Sequence, residues 1–205
     1  MQFKVRALTT ICTIAATLFV IQATAKAATL SFDASLSGAN EVPPNTSPGT
    51  GFVTVVLDTI AQTLQINASF SGLSSNDTAA HIHCCAPLGT NAGVATTLPA
   101  FAGFPVGVTS GTFNATFSLT DPTFYNPTFV TLEGGTVAGA EAALIAGIED
   151  GQSYFNIHTT MNPGGEIRGQ LEPTPLPAAL PLFATGLGAL ALLGLRRKRK
   201  ATAAA

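Results

Sequence analysis

The sequence predicts an all-β domain: an antiparallel β-sandwich of Ig-like or Greek-key type with one short helix. This domain sits between an N-terminal signal peptide and a C-terminal transmembrane helix. Three observations predict this. Several segments alternate strictly between apolar and polar residues, the period-2 signature of a half-buried strand. The segments are short and separated by stretches rich in Gly, Pro, Asn and Ser, a spacing that fits a sandwich or barrel rather than βαβ units. The two long apolar runs of the chain lie at its ends, outside the alternating region.

The chain opens with Lys4 and Arg6, continues through an apolar run from Ala7 to Ile21, and reaches Ala25-Lys26-Ala27, an A-x-A pattern before Ala28. This order marks residues 1–27 as a secretory signal peptide, a substrate of signal peptidase. The apolar run is short for a bilayer span. Cys12 falls inside it and should leave with it.

Four strands follow from alternation. "TLSFDASL" puts Leu30, Phe32, Ala34 and Leu36 on one face. "GFVTVVLD" aligns Val53, Val55 and Leu57. "TLQINASF" turns Leu64, Ile66, Ala68 and Phe70 inward and Gln65, Asn67 and Ser69 outward. "GTFNATFSL" does the same with Phe113, Ala115, Phe117 and Leu119. Between the last two, "NAGVATTLPAFAGFPVGVTSG" is rich in Gly, Pro and small residues and reads as a long loop. "TVAGAEAALIAGIED" breaks the alternation, because Ala140, Leu144, Gly147 and Ile148 recur at helical spacing; a short helix is expected over about Ala138 to Ile148. Near the end, "SYFNIHT" and "EIRGQL" alternate around the turn signal "NPGG", which predicts a hairpin. If His158 pairs with Glu166, Asn156 lies opposite Arg168, and one face carries His, Glu, Asn and Arg; a slip of one residue would undo this.

At the C-terminus, Leu176 to Leu195 is an uncharged apolar run, long enough to cross about 30 Å of hydrocarbon. Arg196, Arg197, Lys198, Arg199 and Lys200 follow at once and should remain in the cytoplasm, which leaves the body of the chain on the far side of the membrane. The charge of the body agrees with export. Arg168 is the only cation between Ala28 and Glu172, against all eleven acidic residues of the chain. A stretch so acidic cannot neutralise a row of phosphates, so nucleic acid is excluded as a partner. After processing, Cys84 and Cys85 are the remaining cysteines; being adjacent, they cannot staple distant segments, so stability must come from the core.

The C-terminal segment resembles the PEP-CTERM sorting signal of bacterial exported proteins, over roughly Glu172 to Ala201. Its order of Pro-containing motif, apolar helix and Arg-rich cluster is the same, although Thr174-Pro175-Leu176-Pro177 stands where Val-Pro-Glu-Pro is usual. The resemblance implies an exosortase-type sorting enzyme as a partner, transient anchoring in the membrane, and delivery to the cell surface. The body resembles a CHRD domain, the module named after chordin. The pieces that carry this are "GANEVPP", "GTGFVTVVLD", "LSSNDTAAHIHCCAP" and "GQSYFNIHTTMNPGGEIRGQL", spanning about Leu30 to Leu171. Cys84-Cys85 departs from the pattern, where a Gly-containing turn is more usual. The resemblance implies an extracellular β-rich module over residues 28–172, followed by the sorting signal over 173–201. The two end segments, the acidic body and the lack of a catalytic motif lead to the expectation of a non-enzymatic binding or extracellular-matrix module.

"AAHIHCCAP" raises a second reading. On a strand, His81 and His83 point the same way. If that strand lies near the hairpin, His158 and Glu166 could join them. Such ligands suit zinc or copper, and three protein ligands would leave an open coordination position for redox or hydrolytic chemistry. The alternative is a polar face whose histidines bond to Asn, Glu or backbone. Cys84 and Cys85 have three options: a ring disulfide, a soft-metal site with His83, or free thiols. Arg168 is expected to pair with Glu166, Glu41 or a backbone carbonyl, and Glu41, Asn156 and Arg168 together form a candidate structural polar cluster. No nucleotide loop, nucleophile elbow or spaced carboxylate pair stands out.

Overall fold

The computed structural model describes residues 29–174. Residues 1–27, read above as a signal peptide, and the apolar run Leu176–Leu195 with the basic residues after it lie outside the described residues. Within them, no helix is long and apolar enough to cross a membrane.

Nine strands form the framework: β1 (Thr29–Ser37), β2 (Thr50–Asp58), β3 (Thr63–Ser71), β4 (Asp77–Cys84), β5 (Gly93–Val94), β6 (Gly111–Ser118), β7 (Tyr154–Thr159), β8 (Ile167–Gln170) and β9 (Glu172–Pro173). Two helices, α1 (Pro127–Leu132) and α2 (Val137–Glu149), lie between β6 and β7. The four alternating segments are strands, and in β2 and β3 the predicted inward residues are the buried ones. β1, β2, β3 and β6 pair in an antiparallel run with unbroken registers from Thr29↔Asp58 to Phe70↔Gly111.

The predicted sandwich needs correction. The strands form one curled antiparallel sheet in the order β5-β4-β7-β8-β1-β2-β3-β6, with β9 also on β1. The reason lies in β1. One edge takes β2 along its whole length, while the other takes β8 at Ser37↔Arg168 and β9 at Phe32↔Pro173 and Asp33↔Glu172. The last strands thereby join what would otherwise be two sheets. Curling brings both halves onto one core, where Val55, Leu57, Leu64 and Ile66 meet Ile82, Phe155, Ile157 and Ile167.

The helix expected over Ala138–Ile148 is α2, begun by the Thr136 hydroxyl, which accepts from Gly139 N–H. Its apolar stripe of Ala140, Leu144 and Ile148 is fully buried. A second helix, α1, was not expected, although Asn126-Pro127 is a start signal: the Asn126 side chain accepts from Thr128 N–H, and Pro127 stands at the first helical position. The Gly- and Pro-rich stretch is a loop apart from β5, yet it is no surface excursion. It buries Phe101, whose ring lies within 6.4 Å of those of Phe113, Phe117, Phe124 and Phe155.

Candidate functional site

β4, β7 and β8 are buried on both faces. Ile82, Phe155 and Ile157 face the core, so the alternate residues His81, His83, Tyr154, Asn156, His158 and Arg168 share the other face. The registers His81↔Asn156, His83↔Tyr154 and Asn156↔Arg168 set them side by side. Segments from outside the sheet complete the enclosure, each contributing a backbone carbonyl: Asn40 to Arg168, Ala92 to His83, and Pro163 to His158.

The three histidines converge. One ring nitrogen from each lies within 4.8 Å of the others. His83 Nε2 and His158 Nε2 stand 3.4 Å apart. His83 Nδ1 is 2.9 Å from the Ala92 carbonyl oxygen and His158 Nδ1 is 3.0 Å from that of Pro163. His81 is 4 % exposed, and neither of its ring nitrogens has a hydrogen-bond partner. The Pro99 carbonyl exerts a weak pull on its ring but falls outside hydrogen-bonding geometry. Burial, reinforced by the neighbouring rings, brings the pKa of His81 down to about 4. Burial does the same to His83, outweighing its bond to Ala92, and lowers that of His158. The imidazoles are therefore neutral at ordinary pH, the form that binds metal.

Glu166 does not join them. It lies in the turn just ahead of β8, and its carboxylate accepts from Ser47 Oγ, Ser74 N–H and Thr159 Oγ1. Burial pushes its pKa up, but these donors together outweigh that and hold it below the usual value. The expected four-ligand set is thus three histidines, with Glu166 instead tying β7 to the loops before β2 and β4.

Arg168 and Glu41 form a second layer. Arg168 Nε donates to the Asn40 carbonyl at 2.6 Å, and Nη1 donates to Asn91 Oδ1 at 2.8 Å. The guanidinium lies 4.4 Å from the centre of the Tyr154 ring, which stacks on His83 at 4.8 Å. The nearest carboxylate is Glu41, at 4.0 Å from Nε. Glu41 is buried with Oε1 unpartnered, and burial drives its pKa up to about 7 despite Arg168 and the Asn156 amide. Gly165 makes room for this arrangement. Its φ of 130° suits glycine, and a Cβ there would stand 2.7 Å from both Asn156 Nδ2 and Glu41 Oε1.

Cys84 and Cys85 are joined to each other by a disulfide. Their sulfurs lie against the Ala143 carbonyl of α2, at 3.8 and 3.5 Å. Being one residue on from His83, Cys84 turns to the opposite face from the histidines. A metal site with His83 and a free catalytic thiol are both ruled out in this state.

Beside Arg168, β1, β8 and β9 wall a groove of about 500 Å³. Phe52 and Leu88, two of the large apolar side chains left exposed, line it together with Asn40 and Gln170.

Sequence reasoning missed Asn91 and the carbonyls of Ala92 and Pro163, which lie outside any alternating segment. Tyr154 was legible, since it shares a strand face with Asn156 and His158. A family model for the CHRD domain matches residues 32–171. The chain belongs to the CHRD family. No curated protein and no solved structure matches it. The matched segment contains the histidine cluster, the disulfide, Glu41 and Arg168, so the whole polar face lies within the CHRD domain.

Proposed function

We propose that this chain is an exported, surface-sorted binding module whose CHRD domain holds an extracellular ligand or matrix polymer without chemical turnover. The groove of about 500 Å³ carries this reading. It pairs exposed Phe52 and Leu88 with the fixed polar groups of Asn40, Arg168 and Gln170, the mixed lining by which a cleft binds and orients a ligand. It also adjoins Glu172–Thr174, where the segment that resembles a sorting signal begins. Export is supported by the signal-peptide pattern, the adjacent-cysteine disulfide and the acidic body. Signal peptidase and an exosortase-type enzyme are the processing partners this reading requires.

Cell fractionation with mass measurement of the mature chain tests it. The expected product begins at Ala28, has lost the apolar helix and basic tail, and is found at the surface or in extracellular polymer. Replacing Phe52 and Leu88 with Ser should release it from that polymer. Retention in the cytoplasm with residues 1–27 intact would refute export. Unchanged retention of the double variant would refute the groove.

A further inference from the structure

We propose that His81, His83 and His158 form a binding site for one late first-row transition-metal ion, copper or zinc, with a fourth coordination position open. This goes beyond the binding role of the groove and stands independently of it.

Hydrogen-bond bookkeeping is the first argument. A carbonyl oxygen only accepts, so the contacts of His83 Nδ1 with Ala92 and of His158 Nδ1 with Pro163 put a proton on each Nδ1. In the neutral ring each Nε2 then carries a lone pair and no proton. These two lone pairs face each other at 3.4 Å, where neither nitrogen can donate to the other. In a buried site two opposed acceptors repel unless something positive lies between them. The carbonyls also play the part that outer partners play in metal sites, fixing tautomer and ring orientation.

His81 is the second argument. It is 4 % exposed, and both its ring nitrogens lack partners. Leaving such a group unsatisfied costs its desolvation with nothing in return. An ion bound by one of its nitrogens satisfies the lone pair and so removes part of that cost.

Distance is the third. Two nitrogens at about 2.0–2.1 Å from a tetrahedral ion stand about 3.4 Å apart, matching the 3.4 Å between His83 and His158. The full set fits within 4.8 Å, so a small movement of His81 closes it. Imidazole-only ligation favours copper or zinc over the oxygen-seeking calcium and magnesium. With Glu166 committed elsewhere, the site has three protein ligands, the number that leaves a position for water or a small anion.

The test uses the full chain, purified in mild detergent through a Strep tag and stripped with chelator. Zn²⁺ and Cu²⁺ are titrated separately against a competing chelator, and the Cu²⁺-loaded chain is examined by electron paramagnetic resonance. One ion per chain is expected, and the resonance should show coupling to several imidazole nitrogens. His83→Gln and His158→Gln should each weaken binding by more than roughly 100-fold, the upper range for loss of a mere outer partner. Failure of the wild-type chain to bind either ion overturns the proposal, as does unchanged affinity in both variants. Should the variants fail to fold, the wild-type resonance decides: an oxygen-dominated or single-nitrogen spectrum overturns the site, and a multiple-nitrogen spectrum upholds it.

Discussion

Replacing Glu41 with Gln should change how stability depends on pH, in a direction set by burial. In the folded chain the Glu41 carboxyl has a pKa of about 7, against 4.5 for the model carboxyl. The folded state therefore keeps this proton over a range where the unfolded state has lost it. Between pH 4.5 and 7 the native state binds more protons than the unfolded one, so this group lowers stability as pH rises. Above pH 7 the whole cost of burying the carboxylate is present. At about 1.4 kcal/mol per pH unit the full effect would be about 3 kcal/mol, and water reaching the carboxylate reduces it to somewhere between about 1 and 3 kcal/mol. Gln is close in size, keeps hydrogen-bonding capacity and never ionises. The stability of Glu41→Gln relative to wild type should then be flat below about pH 4.5, rise through the window and level off above about pH 7. The histidines titrate in both proteins and cancel in the difference. Urea unfolding of the segment 28–174 at a series of pH values measures it. A difference that is constant with pH, or that falls as pH rises, would refute a buried Glu41 carboxyl whose desolvation outweighs Arg168 and Asn156.

Phe101→Ala should cost about 3–5 kcal/mol in urea unfolding, because it removes a ring packed against those of Phe113, Phe117, Phe124 and Phe155. Gly147→Ala places a methyl group 2.7 Å from Cys85 Sγ and closer still to Cys84 Sγ. It should lower stability by about 1–3 kcal/mol through displacement of α2, seen as a drop in the melting temperature. Arg168→Met removes the cation facing Glu41 and leaves the Asn91 side-chain oxygen without its donor. The stability difference between Arg168→Met and its double variant with Glu41→Gln should then continue to grow above pH 7, read in the same unfolding series.

Much of this fold was legible in the residues. Phe32, Val53, Val55, Leu64 and Ile66 alternate with polar neighbours, and that pattern alone says which faces are buried. It does not say which edges meet. The joining of β1 to β8 and β9 depends on Ser37↔Arg168 and Asp33↔Glu172, pairs more than a hundred residues apart that leave no periodic trace. One curled sheet and a two-sheet sandwich thus share the same alternation. The site divides in the same way. The shared face of His81 and His83 follows from a period of 2, whereas the opposition of Asn156 to Arg168 also needed a hairpin register that alternation and a turn signal leave open. Glu166 sits one residue outside its strand, where alternation no longer dictates direction, and its carboxylate found three donors elsewhere. Asn91 and the two carbonyls that orient the histidine rings come from irregular segments, whose course is settled by packing that no local pattern encodes.

The position of β1 constrains how the chain can acquire its shape. β1, β2 and β3 are neighbours in both sequence and space, so this meander closes small loops and can form early. The other half cannot be completed in the same way. β4 waits for β7, about seventy residues on, and β8 and β9 must travel back across the chain to the first strand. Contacts this distant slow folding. An emerging chain therefore cannot close its sheet until almost the last residue of the domain is present. If the chain is exported as proposed, that delay would keep its second half open to passage until the whole has crossed. The same arrangement makes the domain intolerant of C-terminal shortening: losing Ile167–Pro173 would remove the strands that join its halves, although the apolar core residues of β2 and β3 would all remain.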